Sequence, residues 1–441
     1  MRSGAVAAAL AFAALATPAL SEPFDAAAAK TQIQAELDRG YPRLDAIYKD
    51  LHRHPELAFQ EVRSAKILAS EMRKLGFEVT EGVGKTGVVA VYRNGAGPTV
   101  MVRTELDALP VEEKTGLPYA SHDQQVGPDG GKTFVMHACG HDVHMAWWLG
   151  TAEALVQLKD RWRGTLVFVA QPAEETLGGA KAMVEAGLFT RFPRPDYAFA
   201  AHVGPAPAGM IAVKQGVTSS ASDALLVTFN GRGSHGSAPQ YSIDPVVMGA
   251  RFVTDVQTVI SREKDPAAFG VLTVGSFQAG TAGNIIPDKA VLRLSLRSFT
   301  PEVRQQLMHG VEKTAQGVAE MAGAPAPEVT RLYGTGSVIN DPELAAKSAE
   351  MLNQAFGPGV ILIGADKPGF SASEDFSVYT DAGVRSVFYW VGGYDPKVLQ
   401  DDKARGIPVP INHSPEFAPA PEPSIRTGAE VLALSVMSVA R

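Results

Sequence analysis

Five side chains able to bind a metal ion fall within eight positions of the segment MHACGHDVH: His137, Cys139, His141, Asp142 and His144. Imidazole and thiolate are borderline-soft donors suited to zinc, cobalt, nickel or manganese. Alternate positions on an extended loop would present Cys139 and His141 to the same side. The second group is QPAEE, where Glu174 and Glu175 follow the Val-rich run GTLVFVA. Adjacent carboxylates diverge, so one can hold a metal while the other faces solvent as a general base, the arrangement metal-assisted hydrolysis needs. A solvated helix N-terminus also favours acidic residues, and that reading stays open for this pair. Glu105 and Asp107 in RTELDALP and His202 in AAHVGP follow apolar runs, and His413 sits in the Pro-rich INHSPEF. Each of these is weak alone. Cys139 as a covalent nucleophile with His141 or His144 as its base is the competing chemistry. Residues so near in sequence meet only across a bent backbone, and Glu174–Glu175 would then have no role.

The elements that must position these groups read as α/β. From Phe24 to about Leu75 the apolar spacing is helical, with a break at Pro55. Short Val-rich or aromatic runs then alternate with helical stretches: GVVAVYR, PTVMVRTEL, GTLVFVAQP and DYAFAAHV against MAWWLGTAEALVQL and GGAKAMVEAG. In such a sheet the carboxyl ends of the strands face the ligand crevice, where these candidates fall. Between about Gly216 and Tyr333 the order becomes β-α-β-β-α with EVTRLYG as a closing strand, which predicts a ferredoxin-like α+β insertion. The expected division is a catalytic domain in two parts, 22–215 and 335–441, interrupted by a lid or dimerisation domain at 216–334. A cleft should lie at their junction.

With 441 residues, 45% hydrophobic and 20% charged, the chain is neither fibrous nor disordered, and roughly 150 residues per domain allows two or three units. A formal net charge of −7 excludes a basic face for nucleic acid. One Cys excludes an intrachain disulfide framework and four-Cys metal sites. Residues 1–21 carry one Arg, an apolar run from Ala5 to Ala16, and the small-x-small ending Ala19-Leu20-Ser21, the form of a secretory signal. The run is shorter than the roughly 20 residues a spanning helix needs. A periplasmic or secreted protein with no membrane attachment after processing is therefore expected.

The ordered motifs LHRHPELAFQE, RTELDALPVEE, MHACGHDVHMA, QPAEE, AAHVGPAPAG, GRGSHGSAPQYSIDP, GTAGNIIPDKA, GFSASEDFS and INHSPEF resemble the M20 metallopeptidases. The resemblance runs from about Tyr41 to the C-terminus and is strongest to the amidohydrolase branch of hippurate, N-acyl-amino-acid and auxin-conjugate hydrolases. It implies a zinc-peptidase-like catalytic domain and two divalent ions per subunit (Zn, Mn, Co or Ni) held by Cys139, His141, Glu175, His202 and His413. It further implies Glu174 as general acid/base, Asp107 steadying the ligands, His235 reaching the substrate from the lid or a dimer partner, and Asn284 and Arg297 near the substrate carboxylate. Two departures stand out: Glu105 replaces the usual Asp, and LRLSLRSF lacks the family's Gly-Thr strand. The implied substrate is a small N-acyl amino acid or short peptide, the implied assembly a homodimer or higher homo-oligomer. A peptidase or carbamoyl hydrolase on the same fold, and a two-lobed solute-binding protein, are the alternatives. Phe370, Ser371, Tyr389 and Trp390 are candidates for the acyl pocket.

Overall fold

The computed structural model describes residues 24–127 and 130–441, so the expected signal of residues 1–21 lies outside it. The larger of its sheets has eight strands in the spatial order Glu78–Val83, Gly87–Asn94, Gly164–Gln171, Thr99–Glu105, Tyr197–Pro207, Arg385–Tyr394, Ile211–Lys214 and Val360–Ile363. The central four run parallel, and Gly87–Asn94 on one side and Ile211–Lys214 on the other pair with them antiparallel. Being covered on both faces, these strands are nearly continuous apolar runs. Alternate residues supply two layers. Val100, Val102, Leu166, Phe168 and Phe199 meet the helices Ala26–Arg53, Val62–Lys74, His141–Gln157 and Pro421–Val439. Met101, Val167, Val169, Ala198 and Ala200 meet Ala180, Met183, Phe376 and Tyr379 on the other face.

The helix His141–Gln157 is buried almost all round, which fits its apolar MAWWLGTAEALV composition. It packs against Pro421–Val439 closely enough that a Cβ built on Gly428 would lie 2.1 Å from Trp147 Cε3.

The inserted segment forms a four-stranded antiparallel sheet in the order Gly270–Ala279, Lys289–Ser298, Ala221–Asn230, Glu328–Thr335. Its helices Pro245–Asp255 and Pro301–Met321 share one apolar core with that sheet. Asp244 and Thr300 cap their first turns and Pro stands at the first helical position of each, the pattern that starts a helix. The closing strand runs through Thr335, so the chain crosses between domains at 218–220 and 336–338. Just below the crossing, Gly216–Val217 pairs with Ile339–Asn340.

Three elements depart from the sequence pattern. Glu78–Val83 is an edge strand whose EVTEGV composition lacks an apolar run, and Ile211–Lys214 is only four residues long. The helix Pro396–Arg405 buries no residue and so has no apolar period; it is started by Asp395, which accepts from Lys397 N and Val398 N.

Gly428→Ala tests the helix contact by its sign. Helix propensity alone favours Ala by ~1 kcal/mol, whereas overpacking against Trp147 costs about 1–3 kcal/mol. A lower unfolding midpoint in urea is expected, and a raised one would show that the helices are not in contact there.

Candidate active site

The central strands part where the site begins. Thr99–Glu105 and Tyr197–Pro207 pair only as far as Val102 with Phe199, and the start of the helix His141–Gln157 fills the opening. The turn into that helix is not the extended loop expected from sequence. Gly140 is left-handed at φ +87 and a Cβ there would lie 2.5 Å from Val203 Cγ1, so a tight glycine turn puts Cys139 and His141 on one side.

Of the five donors in that segment, only Cys139 and His141 face the cleft cluster. Asp142 bonds His52 Nδ1 at 2.6 Å, within a pair that His52 completes with Glu113. His144 uses both nitrogens: its Nδ1 donates to Glu105 Oε2 at 2.8 Å and its Nε2 accepts from Val203 N at 3.0 Å. His137 is buried away from the cluster.

His141 and His202 are oriented alike. Each donates Nδ1–H to a backbone carbonyl, of Asp107 at 2.7 Å and of Val203 at 2.8 Å, which turns Nε2 inward as the nitrogen able to ligate. Cys139 Sγ is 3.4 Å from His202 Nε2, and His141 Nε2 is 3.8 Å from Glu174 Oε2 and 4.0 Å from Glu175 Oε1. His413 Nε2 closes the ring at 3.4 Å from Glu175 Oε2. His413 sits at φ +72, a strained conformation for a residue with a Cβ. Its loop is stapled by Asn412, whose Nδ2 donates to the carbonyls of Cys139 and Val203.

Glu174 and Glu175 do not stand on a solvated helix end. The turn Pro172–Gly178 buries Glu174, and Ala173 and Leu177 adopt positive φ. Asp107 holds that turn through its carboxylate, accepting from Glu174 N on Oδ1 and Glu175 N on Oδ2, both at 3.0 Å. Its contribution is therefore double: the side chain fixes the two acids, and the carbonyl fixes His141.

Behind the cleft lies a polar layer that the sequence reading missed apart from Glu105. The fully buried Arg103 donates to Glu105, to Glu374 Oε1 at 2.7 Å, to Asp375 Oδ1 at 3.0 Å and to Gln171 Oε1 at 3.0 Å. RTELD and SASEDF were visible as motifs, but only the fold shows that they meet. Glu105 is thus part of this layer, taking both Arg103 and His144.

The cleft is lined by Cys139, Glu174, Glu175 and His202, with Leu177, Trp390 and Arg297 among its other walls. Arg297 comes from the inserted domain and donates to Ser373. Phe370 packs against Trp390 with ring centroids 4.7 Å apart and planes tilted by 50°, whereas Tyr389 belongs to the core and bonds Ser435. His235 and Asn284 are elsewhere. Both are exposed on the inserted domain, His235 bonded to Ser237 and the Asn284 carbonyl to Gly236 N, and neither lines the cleft of its own chain.

Crowded negative charge dominates the electrostatics. Burial, then Glu374 and Glu175, raise Glu174 well above the carboxylate range, and burial pushes Glu175 up to about 7. Burial, then Glu175 and Glu174, also push the Cys139 thiol up. Burial opposes protonation of His141, but its contact with Asp107 and the charges of Glu105, Asp107 and Glu175 carry it up to about 10. These residues fit a divalent cation, because His141 Nε2 and Glu175 Oε1 are buried without any hydrogen-bond partner. Thiolate, imidazole and carboxylate converge there within 4.8 Å in overlapping sets.

Residues 101–436 match peptidase family M20/M25/M40. The chain is 36% identical over 315 residues to a hippurate hydrolase of Campylobacter jejuni, covering 71% of this chain and 79% of that protein. It is 34% identical over 367 residues to an N-acetylcysteine deacetylase of Bacillus subtilis, covering 80% and 88%. Its structure resembles a dinuclear metal binding peptidase of the M20 family from Bacillus subtilis, with TM-score 0.71, 28% identity and coverage of 91% and 99%. Clustered donors, buried acids and these matches agree that the chain belongs to peptidase family M20/M25/M40 and is a hydrolase acting on amide bonds.

Proposed function

We propose that this enzyme hydrolyses the amide of small N-acyl amino acids, with Glu174 as its general acid/base. The observation that carries the reading is one cleft lined by Glu174, Cys139, Glu175, His202, His413 and the cationic Arg297, with the buried His141 within the same donor cluster behind it. Relatives that are a hippurate hydrolase and an N-acetylcysteine deacetylase support this substrate class.

Two divalent ions held by those five donors would supply Lewis acidity, acidifying water and polarising the scissile carbonyl. The remaining work belongs to the protein. Glu174, kept basic by burial and neighbouring carboxylates, takes the proton of the attacking water and returns it to the departing amine nitrogen. Arg297 faces the substrate's carboxylate from the inserted domain, while Leu177 and Trp390 offer apolar surface to the acyl group.

His235 does not reach this cleft within one chain, and exposed Tyr241 and Ile285 lie on the same domain. On the proposed reading, a second copy pairs through the inserted domain and supplies His235; sedimentation showing only monomers would reject it. The proposed address is the periplasm or the medium, so the exported protein should begin after residue 21, which N-terminal mass analysis would check. Among the described residues, no helix is long and apolar enough to cross a membrane.

Protein loaded with Zn, Mn, Co or Ni should release free amine from hippurate, N-acetylcysteine or related N-acyl amino acids, and no release from any of them would sink the substrate class. Glu174→Gln should lower kcat by about 10²–10⁴ with metal content near wild type. Retained turnover would remove Glu174 from its role. Cys139→Ala should lower metal stoichiometry in elemental analysis, and an unchanged value would take Cys139 out of the ligand set.

Metal loading should depend on pH with a definite sign. His141, raised to about 10, carries a proton near neutrality in the metal-free protein, and Glu175, raised to about 7, is protonated below neutrality and loses its proton above it. Ligation must displace those protons, so apparent affinity should rise by about tenfold per pH unit for each group still protonated, more steeply below pH 7, where Glu175 adds its proton to that of His141, than above it. Calorimetry in buffers of different ionisation enthalpy counts the protons, and a flat profile would contradict the assignment.

A further inference from the structure

We propose that Glu61 is a positioning residue of the hydrolytic site, fixing the backbone that carries Glu174 and Glu175; this rests on the reading that those two acids do the work. Glu61 is the last residue of LHRHPELAFQE, a motif to which no role has so far been attached. It stands at the N-cap of the helix Val62–Lys74, where a carboxylate ordinarily bonds the first-turn amides, yet it makes no such bond. Glu56 does that job instead, accepting from Arg63 N at 2.8 Å and Ser64 N at 2.7 Å. Glu61 is released to turn inward and is fully buried.

Its Oε1 accepts from Ala173 N and from Phe59 N, both at 2.8 Å, and its Oε2 accepts from Thr86 Oγ1. The three consecutive amides of Ala173, Glu174 and Glu175 therefore all point at buried carboxylates: the first at Glu61, the next two at Asp107. Ala173 is held at φ +51, a conformation that a residue with a Cβ keeps only when its surroundings over-determine it. The same turn is tied from the other side by Ala180 N on Asp375, and the ring of Phe59 lies against Gly178.

Asp107 cannot isolate this effect, because it also fixes His141. Glu61 bonds the turn through backbone alone, so its removal leaves every proposed ligand in the chain while freeing the strained residue before Glu174. Misplacement of a reacting group by about 1 Å costs on the order of 10² in rate.

Full-length Glu61→Ala, Glu61→Gln and Thr86→Val should be compared with wild type, metal-free and loaded, by hydrogen exchange and by kinetics on a turned-over N-acyl amino acid. In Glu61→Ala, amides 173–175 should exchange about tenfold faster or more while strand Gly164–Gln171 is unchanged. In the same variant kcat should fall about tenfold or more with KM within about twofold. Glu61→Gln keeps the carbonyl acceptor and should recover most of both. Thr86→Val, a milder change on the other oxygen, should speed exchange in the same peptide to a smaller degree, and it decides the question if Glu61→Ala does not fold. Faster exchange confined to residues 59–66, or an unchanged kcat in Glu61→Ala, would overturn the proposal. Should wild type turn over no N-acyl amino acid, exchange alone decides the role of Glu61, and the lack of turnover counts against the substrate class instead.

Discussion

Everything around the cleft answers one electrostatic problem, the burial of many carboxylates at the ends of a parallel sheet. Glu105, Asp107, Glu174, Glu374 and Asp375 are all nearly inaccessible, and among the described residues one fully buried guanidinium, Arg103, stands among them. A buried charge is tolerated when it is paired and hydrogen-bonded. The back of the cleft meets that condition: Arg103 neutralises Glu105, the neutral His144 donates to it, and Gln171, Ala180 N and Phe376 N add hydrogen bonds to Asp375 and Glu374. The front does not. There His141 Nε2 and Glu175 Oε1 are buried without a hydrogen-bond partner, and burial raises Glu174, Glu175 and Cys139 just as it raises Glu374 and Asp375 behind them. A layer hydrogen-bonded by protein behind, with unpartnered donor atoms before it, is an arrangement that a cation would complete.

Much of this was legible in the sequence. Apolar runs and helical spacing mark the central strands and the long helices because burial on both faces leaves no other composition open to them. Elements that bury little, such as Pro396–Arg405 and Glu78–Val83, carry no such pattern. The candidate donors were legible as residue types, Cys139, His141 and Glu175 from clustered segments and His202 and His413 only weakly, as lone histidines after an apolar run and in a Pro-rich loop. What the sequence could not show was partnership. Nothing in MHACGHDVH separates His141, whose Nε2 is free, from His144, both of whose nitrogens are taken. That distinction is made by Glu105 and by Val203 N, distant in the chain. Arg103, Glu374 and Asn412 were missed for the same reason: their roles come from contacts across 271 and 273 positions. Alternation on an extended loop was the wrong geometry for Cys139 and His141, because a left-handed glycine does what extension cannot.

The single cysteine also takes on a different meaning. Its burial beside His202 and Glu175 makes it a poor nucleophile, since its thiol is pushed up and no base in its own segment reaches it. The same surroundings suit a ligand, because a cation would stabilise the thiolate that the carboxylates disfavour.

The division of labour between domains follows from where each group is anchored. Cys139, His141, Glu174, Glu175, His202 and His413 all belong to the large-sheet domain, and so do the backbone groups that orient them. Arg297 is the inserted domain's contribution to the cleft, at the end of a strand beside the interdomain crossing. The segment 370–375 ties the two together: Phe370 N bonds Thr218 O and Ser220 N bonds Ala372 O at the crossing, while Glu374 and Asp375 bond Arg103 in the catalytic layer. A swing of the inserted domain about 218–220 and 336–338 would therefore move Arg297 against Ser373 without disturbing any proposed metal ligand. In such a swing the substrate contact proposed for Arg297 would vary while the geometry of the proposed ligand cluster stayed fixed, so that closure could tune recognition without loosening a bound cation.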